Sequence, residues 1–143
     1  MRIRNTSRYP TDEVREIVKW ACAPIDMHHV CVNVKGSSRS FRGMAYQGVP
    51  TVSNAPATSE YLVTVGIGAE SSFPILGHRY PGKSDRFPSY DLHDWREALV
   101  LVTAHEAAHI EQFREDVSHS ELRAETFAVR RLNEWRKMRA VPA

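Results

Sequence analysis

An α+β domain is the fold class this sequence predicts, and three observations carry it. Val30, Val32 and Val34 alternate with Cys31, Asn33 and Lys35, the two-residue period of a half-buried strand. Tyr61, Val63, Val65 and Ile67 repeat that alternation. Three further stretches, one before these strands and two after them, carry the spacing of helices. The chain has 143 residues, which fits one domain with a single core over 1–143.

Thr11 to Cys22 reads as the first helix, because Val14, Ile17, Val18 and Ala21 recur on one face. Thr11 is positioned to cap it, Asp12 and Glu13 suit the positive end of its dipole, and Pro24 stops it. Gly36-Ser37-Ser38 is a turn after the first strand. Phe41 to Gln47 is a weaker strand, placed near an edge because Gly43 dilutes it. Together the strands are expected to form a small, mostly antiparallel sheet over about 28–68. From 69 to about 93 the chain carries Pro74, Pro81 and Pro88 with Gly77 and Gly82 and shows no sustained period. It reads as a long loop of the kind that forms lids and rims, or as one hiding a short strand around Phe73 to Leu76. A long helix follows over about 94–113, where Asp94 and Glu97 make a capping-box-like start. Ala98 to Ala104 is apolar almost all round, which places this helix inside. A last helix spans about 120–139, with Leu122, Ala124, Phe127, Ala128, Leu132 and Trp135 on its inner side.

Hydrophobic residues make up 42% and charged residues 25%, with a net charge of +2, so composition gives no strong pull toward nucleic acid or a membrane. Arg2, Arg4 and Arg8 crowd one end, and Arg130, Arg131, Arg136, Lys137 and Arg139 the other. A frayed terminus and a solvated helix face explain them; contact with an acidic partner is the sharper reading. No run approaches the roughly 18 apolar residues of a membrane span. Met1 to Pro10 is polar and lacks the apolar stretch of a secretory signal. Cys22 and Cys31 match neither a redox pair nor a zinc knuckle, and a reduced, cytoplasmic setting is expected.

The chemistry centres on His105-Glu106-Ala107-Ala108-His109, an HExxH pattern. Two histidines four apart on a helix share a face, with about 5–6 Å between their Cβ atoms. Both imidazoles can then reach one Zn²⁺ at about 2.0–2.1 Å. Glu106 borders that metal without binding it, placed to take a proton from a metal-activated water as general base. These three polar groups follow an apolar run, and burying them is costly unless something satisfies them. A helix end that simply emerges into water there is the plain alternative.

A third ligand has three candidates, His119, Glu121 and Glu125. Glu121 falls on the face of Ala124, Ala128, Leu132 and Trp135, and Glu125 one turn further along that stripe. Either acid could instead serve only the helix dipole. Should the long helix fray near Gln112 and the last one start near His119, antiparallel pairing sets His109 level with Glu121 and His105 level with Glu125. Should it run on to Glu115, Glu125 slides level with His109.

His105-Glu106-x-x-His109 followed by Glu121-x-x-Ala124-Glu125-x-Phe127-Ala128 resembles the gluzincin zinc peptidases, and within them the small forms and ImmA/IrrE-type peptidases. The resemblance covers about Asp94 to Leu132. It implies a minimal zincin-like domain, with a small sheet whose edge strand pairs with an extended peptide, an active-site helix, and a second helix bringing a glutamate. It also implies that Glu121 is the zinc ligand, that Glu125 hydrogen-bonds His105, and that the activity is peptide hydrolysis. The chain departs from the pattern in having Glu125 where Asp or Asn is usual, and in the short span from His109 to Glu121. A metzincin pattern fails, because Glu115 stands where a third histidine is needed. A SprT-like, DNA-associated peptidase would use His119, without that family's glycine-rich setting.

His28 and His29 read as surface residues before a strand. His78, Arg79 and Tyr80 lie in the long loop, where each is either exposed or placed to stabilise an oxyanion. Two rival functions stand beside the peptidase: a regulatory module that keeps zinc for structure, and a nucleic-acid-associated protein recruited by the basic ends.

Overall fold

Ile3 is the only apolar side chain in Arg2–Asn5, and its burial makes those residues a strand, β1, where the sequence suggested only a polar terminus. The computed structural model describes residues 1–49, 55–56, 58–80 and 85–140. After β1 come α1 (Thr11–Cys22), β2 (Val30–Gly36), β3 (Phe41–Tyr46) and β4 (Tyr61–Ile67). A 3₁₀ turn at Glu70–Ser72 leads to β5 (Ile75–Arg79), β6 (Ser89–Leu92), α2 (Trp95–Glu115) and α3 (Glu121–Ala140). The described residues form a small α+β fold with three α-helices and a mixed sheet.

The four-stranded sheet has the order β1-β2-β4-β3. Only the β3–β4 pair is antiparallel; β1–β2 and β2–β4 are parallel, so the expected mostly antiparallel sheet is corrected. Helix α1 makes the first parallel pair possible, since parallel strands need a crossover of that length. β4 is the reason for the second. Its Leu62, Val63, Val65 and Ile67 are all buried, so it takes the centre between β2 and β3 and leaves β3 at the edge.

Ile3, Val32, Val34, Val63 and Val65 form the inner face of the sheet, and α2 lies against it beside β3 and β4. Val14, Ile17, Val18 and Ala21 of α1 are buried as their spacing predicts. Thr11, however, does not cap α1: Pro10 holds the cap position, and the Thr11 hydroxyl accepts a hydrogen bond from Asn5 Nδ2 at 3.1 Å.

The long loop of the sequence reading also needs correction. β5 and β6 pair there as an antiparallel hairpin, with a register shift between Ile75 and His78. Gly77 sits in that irregularity at φ 62°, a left-handed conformation that glycine adopts without strain, and its N–H donates to Asp91 Oδ1 at 2.8 Å. A broken strand period explains why alternation was not legible. Pro81 and Gly82 fall outside the described residues.

α2 begins where its cap predicts, with the Asp94 side chain accepting from Glu97 N at 3.0 Å. The Glu97 carboxylate reaches back to His93 N at 2.9 Å. The helix runs past the expected end to Glu115 and stops at Asp116, which is left-handed at φ 54°. No helix among the described residues is long and apolar enough to cross a membrane.

Candidate metal centre

Helical spacing puts His105 and His109 on one face of α2, and their Nε2 atoms stand 3.2 Å apart. Both side chains are buried, as is Glu106 between them. Glu121, the first residue of α3, brings Oε1 to 2.5 Å from His109 Nε2 and 3.7 Å from His105 Nε2.

The other ring nitrogens are already engaged. His105 Nδ1 lies 2.8 Å from Glu125 Oε1, and His109 Nδ1 lies 3.0 Å from Gln112 Oε1. Both partners are acceptors, so each Nδ1 carries the proton and each Nε2 turns a lone pair toward the other. Two imidazole nitrogens and a carboxylate oxygen facing one another in a largely buried site form a donor set that can hold a cation. Ligand atoms about 2.0–2.1 Å from a tetrahedral zinc stand about 3.3 Å apart. The three observed separations bracket that value, so the donor set fits zinc in both chemistry and spacing.

The register that brings Glu121 here is not the one the hairpin arithmetic requires. With α2 running to Glu115, that arithmetic sets Glu125 beside His109, yet Glu121 lies there and Glu125 lies beside His105. Gln112 is the cause. Its Oε1 accepts from Ser120 N at 3.1 Å and its Nε2 donates to Ser120 O at 3.1 Å. Val117 N also turns back to Gln112 O at 3.2 Å. The connection therefore folds back along α2, and Glu121 starts α3 level with the second histidine. Gln112 was missed in the sequence reading, although it lies three residues after His109 on the same helix face.

The β5–β6 hairpin closes the other side of the site. Tyr90 O–H donates to Glu125 Oε2 at 3.0 Å. Tyr80 O–H donates to Glu121 Oε2, and its ring lies parallel to His105 with centroids 5.7 Å apart. His78 stands between Phe41 and Tyr90, where burial pushes its pKa down. Of the three loop residues singled out, His78 and Tyr80 line the cleft, whereas Arg79 pairs with Asp85 at 3.4 Å. His119 is exposed at the cleft's mouth, its ring stacked on His109 at 4.1 Å and its Nε2 2.9 Å from Glu121 Oε1. His28 and His29 are exposed, as expected, and His29 lies 3.4 Å from Glu60.

β3 forms one wall of the cleft, whose volume is about 710 Å³. Glu106 packs against it at Gly43, where a Cβ would meet Val102 Cγ1 at 2.6 Å and Glu106 Oε2 at 2.7 Å. A glycine in a strand often marks such a close approach, and that was the signal available in the sequence. Burial pushes the Glu106 carboxyl up to about 7; nearby His105 lowers it and Glu125 raises it. Burial also pushes His109 down to about 4, favouring its neutral form, and raises Glu121. Comparison with family models, with curated proteins and with solved structures finds no significant match for the chain.

Proposed function

We propose that this chain is a zinc-dependent peptidase with a zincin-like, gluzincin-type site. The observation that carries the reading is the convergence of His105 Nε2, His109 Nε2 and Glu121 Oε1 beside a buried carboxyl, Glu106, that is left for proton transfer. Three protein donors leave a coordination position open, whereas structural zinc is closed by four protein ligands, and this favours catalysis over the regulatory module. Zinc held there would supply an acidified water and an electrophile for the substrate carbonyl.

The protein's own groups do the rest. Glu125 and Gln112 hold the two imidazoles by Nδ1, so their orientation is set before any metal arrives. Glu106 removes a proton from the attacking water and returns it to the leaving amine, work that suits a carboxyl held near 7. Among the described residues β3 is an edge strand along the cleft, and its outer backbone edge suits an extended peptide or unstructured protein segment. Cys22 and Cys31 are both free and buried, in keeping with a reducing, cytoplasmic setting.

Zinc analysis joined to turnover of an unstructured protein is the test. The parent should hold one zinc and cleave; His105→Ala and His109→Ala should lose the metal. Glu106→Gln should keep it while losing about 10²-fold or more of the rate. Full zinc in both histidine variants would sink the metal assignment, and undiminished cleavage by Glu106→Gln would remove its role as base.

One observation supports the nucleic-acid-associated form. Pairing register puts Arg2, Arg4, Lys35 and Arg42 on the outer face of the sheet, where none of the strand residues is acidic. Binding to a single-stranded oligonucleotide that weakens steeply with salt would favour that form.

A further inference from the structure

Glu121 has two carboxylate oxygens, and they have different neighbours. Oε1 faces His105, His109 and His119. Oε2 accepts the Tyr80 hydroxyl. Tyr80 does not hang free at the end of β5: its ring lies between His105, with centroids 5.7 Å apart, and Phe87, at 5.5 Å. The phenol is thus held by two aromatic contacts and a hydrogen bond, and one oxygen of the carboxylate is committed to it.

We propose that Tyr80 is a metal-selecting residue, because it restricts Glu121 to a single donor oxygen. The inference rests on the assignment of His105, His109 and Glu121 as metal ligands. A carboxylate with both oxygens free can bind through one or both, and so add a ligand for an ion that wants more oxygens. Zinc is content with four ligands, whereas manganese and calcium take six or more, largely from oxygen. Tying up Oε2 removes the extra oxygen from the second group and costs zinc nothing. Tyr90 is the natural contrast. Its hydroxyl holds Glu125 Oε2, and Glu125 Oε1 lies against His105 Nδ1, so Tyr90 orients an imidazole that every metal uses alike.

The test measures Zn²⁺ and Mn²⁺ affinity by chelator competition for the parent, Tyr80→Phe and Tyr90→Phe, with circular dichroism to show that each is folded. Tyr80→Phe keeps the ring and deletes only the hydroxyl. It should narrow the Zn²⁺-over-Mn²⁺ preference by about 10-fold, the scale of a lost partner beside a ligand. Tyr90→Phe should weaken both metals and leave their ratio unchanged. Cobalt-loaded Tyr80→Phe should show weaker visible absorption than the parent, as its coordination number rises above four. An unchanged ratio and cobalt spectrum in Tyr80→Phe would overturn the proposal while leaving the metal site intact. A parent that binds neither metal would overturn the ligand assignment beneath it.

Discussion

Gly43 is a position on β3 where the side-chain space is already taken, by Val102 and by the carboxylate of Glu106. Gly43→Ala must push one of them away. Overpacking of this kind costs about 1–3 kcal/mol, so the thermal midpoint should fall by several degrees. If Glu106 is what moves, zinc content should stay and peptide cleavage should drop. An alanine that leaves both melting and cleavage unchanged would show that the close approach places nothing. The sequence displayed Gly43 plainly, but only as a weakness in a strand. What fills its space comes from a helix about sixty residues further on.

Helices α2 and α3 are joined at two levels, and each makes a measurable claim. At the turn, Gln112 binds both backbone groups of Ser120. Gln112→Ala should cost about 1–3 kcal/mol, since it leaves polar groups without partners. It should also weaken zinc binding, because His109 loses the acceptor on Nδ1 and Glu121 loses its register. Retained affinity in that variant would mean that something else sets the hairpin. At the far end, Glu97 meets Arg136 at 2.8 Å and also receives His93 N. Burial raises the Glu97 pKa, but the bonds from Arg136 and His93 outweigh it, and the net shift is downward from 4.5. A carboxyl depressed in the folded state stabilises the fold above its unfolded pKa, and that contribution is lost as pH falls through the folded value. Thermal melts below pH 4.5 should therefore fall less steeply for Glu97→Gln than for the parent. Parallel acid limbs would discount the pair.

At the scale of the whole molecule, the candidate metal site brings α2, α3 and the β5–β6 hairpin together, so metal binding there should be linked to folding. A ligand that binds only the folded state adds about 2.7 kcal/mol when present at 100 times its Kd. Chelation of the metal-loaded protein should lower the melting temperature by several degrees, with restoration by added zinc. Melting that ignores both treatments would count against a metal that bridges these elements.

Local information settled much of this protein before any folding was considered. The bounds of α1, the N-cap and burial of α2, and the shared face of His105 and His109 follow from residues within a few positions of one another. Hydrogen bonding and side-chain period at that range are written directly in the sequence. Tertiary structure alone decided the rest. The first parallel pair needed β1, whose one apolar residue, Ile3, is too little signal for a strand until β2 lies beside it. The hairpin that carries Tyr80 and Tyr90 has its period broken at Gly77, so only its pairing defines it. The level of Glu121 against His109 depends on how five connecting residues fold back on Gln112. Each of these is a contact between distant residues, and spacing along the chain carries no measure of such distances in space.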